Sequence, residues 1–129
     1  MATDSEPIIQ LPIVPQDEFA VYGKVHTYPP YTPTTRRVHL QHPQVYAFPQ
    51  HADALEAVYR ETTILSASEP GILHYCISRD ADDPAIFHFF ERYTGREAFD
   101  AHNSQPIIQK LLNVDRYIKH VEAVIAKPL

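Results

Sequence analysis

The chain has 129 residues, of which 44% are hydrophobic and 21% charged, the composition of one folded domain rather than a disordered chain. Eleven Lys and Arg stand against 16 Asp and Glu, a net charge of −5, which argues against a nucleic-acid partner. No apolar run approaches the roughly 18 residues of a membrane span, and Met1-Ala2-Thr3-Asp4-Ser5-Glu6 lacks the basic flank and apolar core of a secretion signal.

Eight of the 12 prolines (Pro7, Pro12, Pro15, Pro29, Pro30, Pro33, Pro43 and Pro49) precede residue 50, so the first part of the chain is neither mostly helix nor central strand. We read residues 1–18 as an N-terminal arm and 19–127 as the domain. Phe19 to Tyr28, rich in aromatic and β-branched residues, predicts the first strand, with Pro29-Pro30 ending it. Gly23 in its middle marks either a weak point or a close approach by another backbone or a ligand. Residues 29–50 form a long proline-rich connection with Val38–Leu40 or Val45–Phe48 as a possible short strand. Its aromatic residues predict that it packs on the body, over a pocket mouth or a partner subunit. His51 to about Leu65 predicts a helix, because Leu55, Val58, Tyr59, Thr62 and Leu65 fall on one stripe.

Ile72–Arg79 and Ile86–Tyr93 predict two strands joined by the turn formers of 80–85. One parity carries Leu73, Tyr75, Ile77, Phe87, Phe89, Glu91 and Tyr93; the other carries His74, Cys76, His88, Phe90 and Arg92. Large side chains on both parities call for cover on both faces of the sheet, and one chain's helices supply only one. A second copy, in a homodimer, is the expected cover. Thr94 and Glu97 have the spacing of a capping box for the next helix, and Ser104 with Pro106 marks a restart. Tyr117–Ala126 predicts the last strand. The order β-α-β-β-α-β is that of the ferredoxin-like α+β arrangement.

Glu69-Pro70-Gly71-Ile72-Leu73-His74-Tyr75, Phe87-His88-Phe89-Phe90-Glu91-Arg92-Tyr93 and Arg96-Glu97-Ala98-Phe99-Asp100-Ala101-His102 together resemble the antibiotic biosynthesis monooxygenase family. The family carries an E-P-G before its second strand, a glutamate near the end of the third and a histidine near the end of the following helix. Val21-Tyr22-Gly23-Lys24-Val25 is similar to its first strand, and the resemblance covers about 19–127. It implies a dimeric α/β barrel. Among the family's activities it implies cofactor-free oxygenation of aromatic polyketides, quinol oxidation or haem cleavage. The haem-cleaving branch uses a pocket tryptophan and a first-strand asparagine. This chain has no tryptophan, its asparagines are Asn103 and Asn113, and Tyr93 and Gly23 stand at the two positions, which argues against that branch.

The resulting expectation is a cofactor-independent oxygenase acting on a small aromatic, phenolic or quinone-like metabolite, with no cofactor, nucleic acid or membrane involved. His102, Tyr75 and Glu91 are the candidate catalytic residues; Tyr93, Tyr59, Phe89, Phe99 and Asn103 are candidates for substrate binding. His102 reads either as a general base or as a core histidine bonded to Glu91 or a backbone carbonyl. Glu91 reads as a catalyst or as a structural partner, and the tyrosines as oxyanion donors or core aromatics. The same residues would serve a cyclase or isomerase of polyketide-like substrates, or a binding dimer without turnover. No metal is expected: His74 and His88 meet only in one register and lack a third ligand. The lone Cys76 excludes an intrachain disulfide and suits a reducing, cytoplasmic setting.

Overall fold

The computed structural model of the chain describes residues 9–28 and 51–129. Its elements are β1 (Phe19–Thr27), α1 (His51–Ser66), β2 (Ile72–Arg79), β3 (Ile86–Tyr93), α2 (Arg96–Asn103), α3 (Pro106–Asn113) and β4 (Ile118–Ala126). The strands form one antiparallel sheet in the order β2-β3-β1-β4, the ferredoxin-like α+β topology with its second helix broken in two. No described helix is long and apolar enough to cross a membrane. The expected packing of the 29–50 connection, and the short strand within it, lie outside the described residues.

Alternation along the strands sorts side chains between two faces. Phe19, Val21 and Val25 of β1 and Phe87 and Tyr93 of β3 are buried on the helix side. With Leu55 of α1 and Leu111 of α3 they make two adjoining clusters, and Phe89 touches both. The opposite face of the described structure is bare. Tyr22, Phe90 and Val124 are 40%, 40% and 48% exposed on it, and Cys76 is exposed too.

Gly23 is a point of close approach. A Cβ there would lie 1.8 Å from the Glu122 carbonyl oxygen, so only glycine lets β4 pack this tightly. Residues 9–18 are fastened to the body. Val14 is buried, its carbonyl accepts from both Nε and Nη2 of Arg96 at 2.8 and 2.6 Å, and Ile9 N–H donates to the Leu112 carbonyl.

Three local expectations are corrected, and one open register is fixed. The Thr94–Glu97 capping box does not form: Gly95 is the N-cap without a side-chain bond, and the Gln16 carbonyl accepts from Arg96 N–H instead. Ser104 does not cap α3. Gln105 does, while Ser104 Oγ donates back to the Asp100 carbonyl, and Pro106 opens the helix. A bulge between Ile72 and His74 takes Leu73 off the Tyr75 face and leaves it 45% exposed. The same register pairs His74 with Arg92 and Ser78 with His88, so the two histidines are not neighbours, and His88 bonds Asp80 at 2.7 Å.

Candidate functional site

Between the helix side of the sheet and the helices lies a cavity of about 120 Å³ with mostly apolar walls. Val21 and Val25 of β1, Phe89 of β3 and Val121 of β4 form its floor; Ile108, Leu111 and Leu112 of α3 form part of its roof. Ile9, Gln10, Leu11 and Pro12 of the arm supply a further wall. Seven of the eight candidate residues line it: His102, Tyr75, Glu91, Tyr59, Phe89, Phe99 and Asn103. Tyr93 does not. It is fully buried behind the wall and donates its hydroxyl proton to Glu91 Oε1 at 2.6 Å. Larger depressions of about 520 and 510 Å³ lie beside Arg79 and beside Gly95, and neither touches His102, Tyr75 or Glu91.

His102 comes from the last turn of α2, where its 3% exposure follows from sharing a helix face with Phe99. The partner is neither Glu91 nor a backbone carbonyl. Nδ1 lies 3.1 Å from Oε2 of Glu69, the glutamate of the E-P-G. Gly71 explains the approach, because a Cβ there would sit 2.4 Å from the Ala98 Cβ, so the loop carrying Glu69 runs directly against α2. A carboxylate on Nδ1 fixes the proton on that nitrogen and leaves the lone pair on Nε2. That is the tautomer of a general base, with a counter-charge in place for the imidazolium it becomes. The Tyr75 and Tyr93 rings flank the imidazole at centroid distances of 5.3 and 5.9 Å.

Glu91 has few partners for a carboxyl in apolar surroundings. Burial raises its pKa above the usual carboxylate value, and the Tyr93 hydrogen bond and the charge of His102 only partly oppose that. It is thus biased toward a protonated acid facing the same cavity as an imidazole base. The Tyr75 hydroxyl meets Thr62 Oγ1 at 2.8 Å. Burial and the neighbouring Glu91 charge push the Tyr75 phenol well above its usual pKa, and burial does the same to Tyr59, so both keep their protons at neutral pH. Asn103 donates from Nδ2 to the Phe99 carbonyl, which orients its amide at the end of α2.

Sequence reasoning missed Glu69 as the partner of His102, Thr62 as the partner of Tyr75, and the arm as part of the wall. Glu69 stood in the E-P-G motif, but nothing in the sequence tied it to a histidine 33 residues away. The other two depend on tertiary packing that no periodicity reports.

The sequence profile of the family described as antibiotic biosynthesis monooxygenase matches residues 39–113. No curated protein matches the chain. Among solved structures, protein PA3566 from Pseudomonas aeruginosa superposes with a TM-score of 0.65 at 18% identity, over 88% of this chain and 95% of that one. Rv0793 from Mycobacterium tuberculosis gives 0.60 at 20% identity, over 87% and 95%. A Chloroflexus aurantiacus protein named for antibiotic biosynthesis monooxygenase gives 0.57 at 24% identity, over 87% and 93%. At these identities the structures share the fold. The profile match spans more than half of the chain and includes the E-P-G, Glu91 and His102, and the chain belongs to the antibiotic biosynthesis monooxygenase family.

Proposed function

We propose that the protein is a cofactor-independent monooxygenase of a small, electron-rich phenol or quinol-like molecule, with His102 as the base. The observation that carries this reading is the His102 imidazole, held through Nδ1 by Glu69 on the wall of an apolar cavity that also contains Glu91. A cavity of about 120 Å³ is close to the size that holds one aromatic ring. That favours a single-ring substrate over a fused polyketide.

In this reading Nε2 of His102 takes the phenolic proton, and Glu69 stabilises the resulting imidazolium. The phenolate is a far better reductant than the phenol and passes one electron to O₂. Recombination of superoxide with the phenoxyl radical at a ring C–H carbon gives a peroxide. Loss of water from that peroxide breaks the O–O and C–H bonds and leaves a quinone: one oxygen atom enters the product and the other departs as water. Glu91, bonded to Tyr93 and biased by burial toward its acid form, donates to the departing oxygen, and the apolar walls limit the contact of bulk water with the radical pair.

The test is oxygen consumption with a panel of single-ring and fused-ring phenols and hydroquinones. The reading expects one O₂ per single-ring substrate consumed and a quinone product. An imidazole base facing a carboxyl whose pKa burial raises also suits proton transfer without O₂, the cyclase or isomerase alternative. Turnover that is identical with and without oxygen would establish that alternative and remove the oxygenase. Binding of the panel without any turnover would make the protein a binding module.

The bare sheet face supports a homodimer as the working form. Tyr22 and Phe90 stack on it with ring centroids 6.0 Å apart, and His74 packs edge-on against Phe90 at 5.5 Å, an aromatic patch suited to a second copy.

A further inference from the structure

The bare face carries a second group of functional side chains, at the far end of the sheet from β2. In the β1–β4 pairing His26 stands opposite His120, and Glu122 lies two residues further along β4 on the same face. The two imidazole rings stack with centroids 4.1 Å apart and planes 14° from parallel. Both turn Nε2 toward one carboxylate oxygen: Glu122 Oε2 lies 2.6 Å from Nε2 of His26 and 3.5 Å from Nε2 of His120. The three ligand atoms all fall within 4.8 Å of one another.

The register shifts between His26 and Thr27, because Thr27 pairs with Ile118 and Lys119 is the extra residue. Bulges of this kind re-aim side chains and are common beside functional sites. This one adjoins the His26–His120 pair.

We propose that His26, His120 and Glu122 form a binding site for one divalent transition-metal ion of the zinc class. Zinc takes imidazole nitrogen at about 2.0–2.1 Å and carboxylate oxygen at about 2.0–2.2 Å, which puts tetrahedral ligand atoms roughly 3.3–3.5 Å apart. The His120–Glu122 separation already has that value, and the His26–Glu122 hydrogen bond has to open by under about 1 Å as the metal replaces its proton. Two nitrogen ligands select zinc, nickel or copper over magnesium and calcium. The side chains are 25%, 51% and 59% exposed for His26, His120 and Glu122, so an ion can enter from solvent and keep a water as its fourth ligand. His26 is four residues along β1 from Tyr22, about 13 Å by strand rise, so the ion sits away from the aromatic patch. Because β4 is an edge strand, the ion would clamp that edge to β1.

The experiment is calorimetric titration of the whole chain with zinc chloride, and separately with magnesium chloride, for the native protein and for His120→Ala and Glu122→Gln. All three side chains lie at the surface, and thermal unfolding without metal checks that the variants fold. The proposal expects saturable zinc binding at one site, no comparable magnesium binding, and at least roughly tenfold weaker zinc binding in each variant. It also expects zinc to raise the unfolding temperature of the native protein more than that of Glu122→Gln, since the ion joins two strands. Absence of zinc binding would overturn the proposal. So would zinc binding of undiminished strength in both variants, which would move the ion to other histidines, or equal binding of magnesium.

Discussion

The buried His102 imidazole is bonded to the half-buried Glu69 carboxylate, and a base made this way depends on both partners. Glu69→Gln keeps a hydrogen-bond acceptor but loses the charge that stabilises the imidazolium. Turnover should fall about 10–100-fold with substrate affinity nearly unchanged. Steady-state kinetics checks this, and an unaltered kcat would leave Glu69 a packing residue. Glu91 gives a stability prediction with a definite sign. Its folded pKa lies above the usual 4.5, so above that pH the folded state holds a proton that the unfolded chain has released. Stability is therefore lost as pH rises from about 4.5 through the raised folded pKa. Glu91→Gln removes this term, and its urea-unfolding stability should fall less between pH 4.5 and 7 than that of the native protein; parallel curves would contradict the assignment. His102 and Glu91 could be singled out from motif order and strand parity. The bond from His102 to Glu69 could not, because it depends on a loop passing against Ala98.

Strand β1 illustrates what periodicity reports and what it omits. Its aromatic and β-branched content identifies the strand, while the burial of Phe19, Val21 and Val25 on one face is read from the structure. Gly23 read as either a weak point or a close approach, and the Glu122 carbonyl decides for the approach. Gly23→Ala should force β4 away from β1 and lower stability by about 1–3 kcal/mol, since the obstruction is backbone and does not yield as a side-chain end would. Equilibrium unfolding measures this, and a change within about 0.5 kcal/mol would contradict it. The capping errors at α2 and α3 have a shared cause. Thr94 and Ser104 are good cap residues by type, but the Gln16 carbonyl from the arm reaches the Arg96 N–H first, and the turn at 104 folds Ser104 back onto Asp100. The His26–His120–Glu122 group was invisible for a similar reason. His26 is far in sequence from His120 and Glu122 and meets them only through the β1–β4 pairing.

The molecule as a whole uses its two sheet faces differently. Among the described residues, one is covered by three helices with the cavity between, and the other is an uncovered surface of aromatic, aliphatic and histidine side chains. The whole-fold topology was legible because strand and helix patterns followed one another in a recognisable order. The apolar character of both faces was legible because β2 and β3 carry large groups on both parities, and the structure leaves Phe90 exposed. A homodimer seated on the aromatic patch around Tyr22 and Phe90 should bury more than about 2,000 Å² in total. Phe90→Lys, on the bare face and outside the cavity, should weaken that dimer, and light scattering at micromolar concentration should then report a monomer where the native chain gives twice its mass. A native monomer would refute this assembly. The proposed chemistry depends most heavily on His102 as a base in the cavity. The direct measurement is oxygen consumption by His102→Gln against the native protein on the best single-ring phenol, with circular dichroism confirming the fold. The account predicts a loss of about 10²–10⁴-fold in a folded variant, and oxygen consumption at the native rate would contradict it.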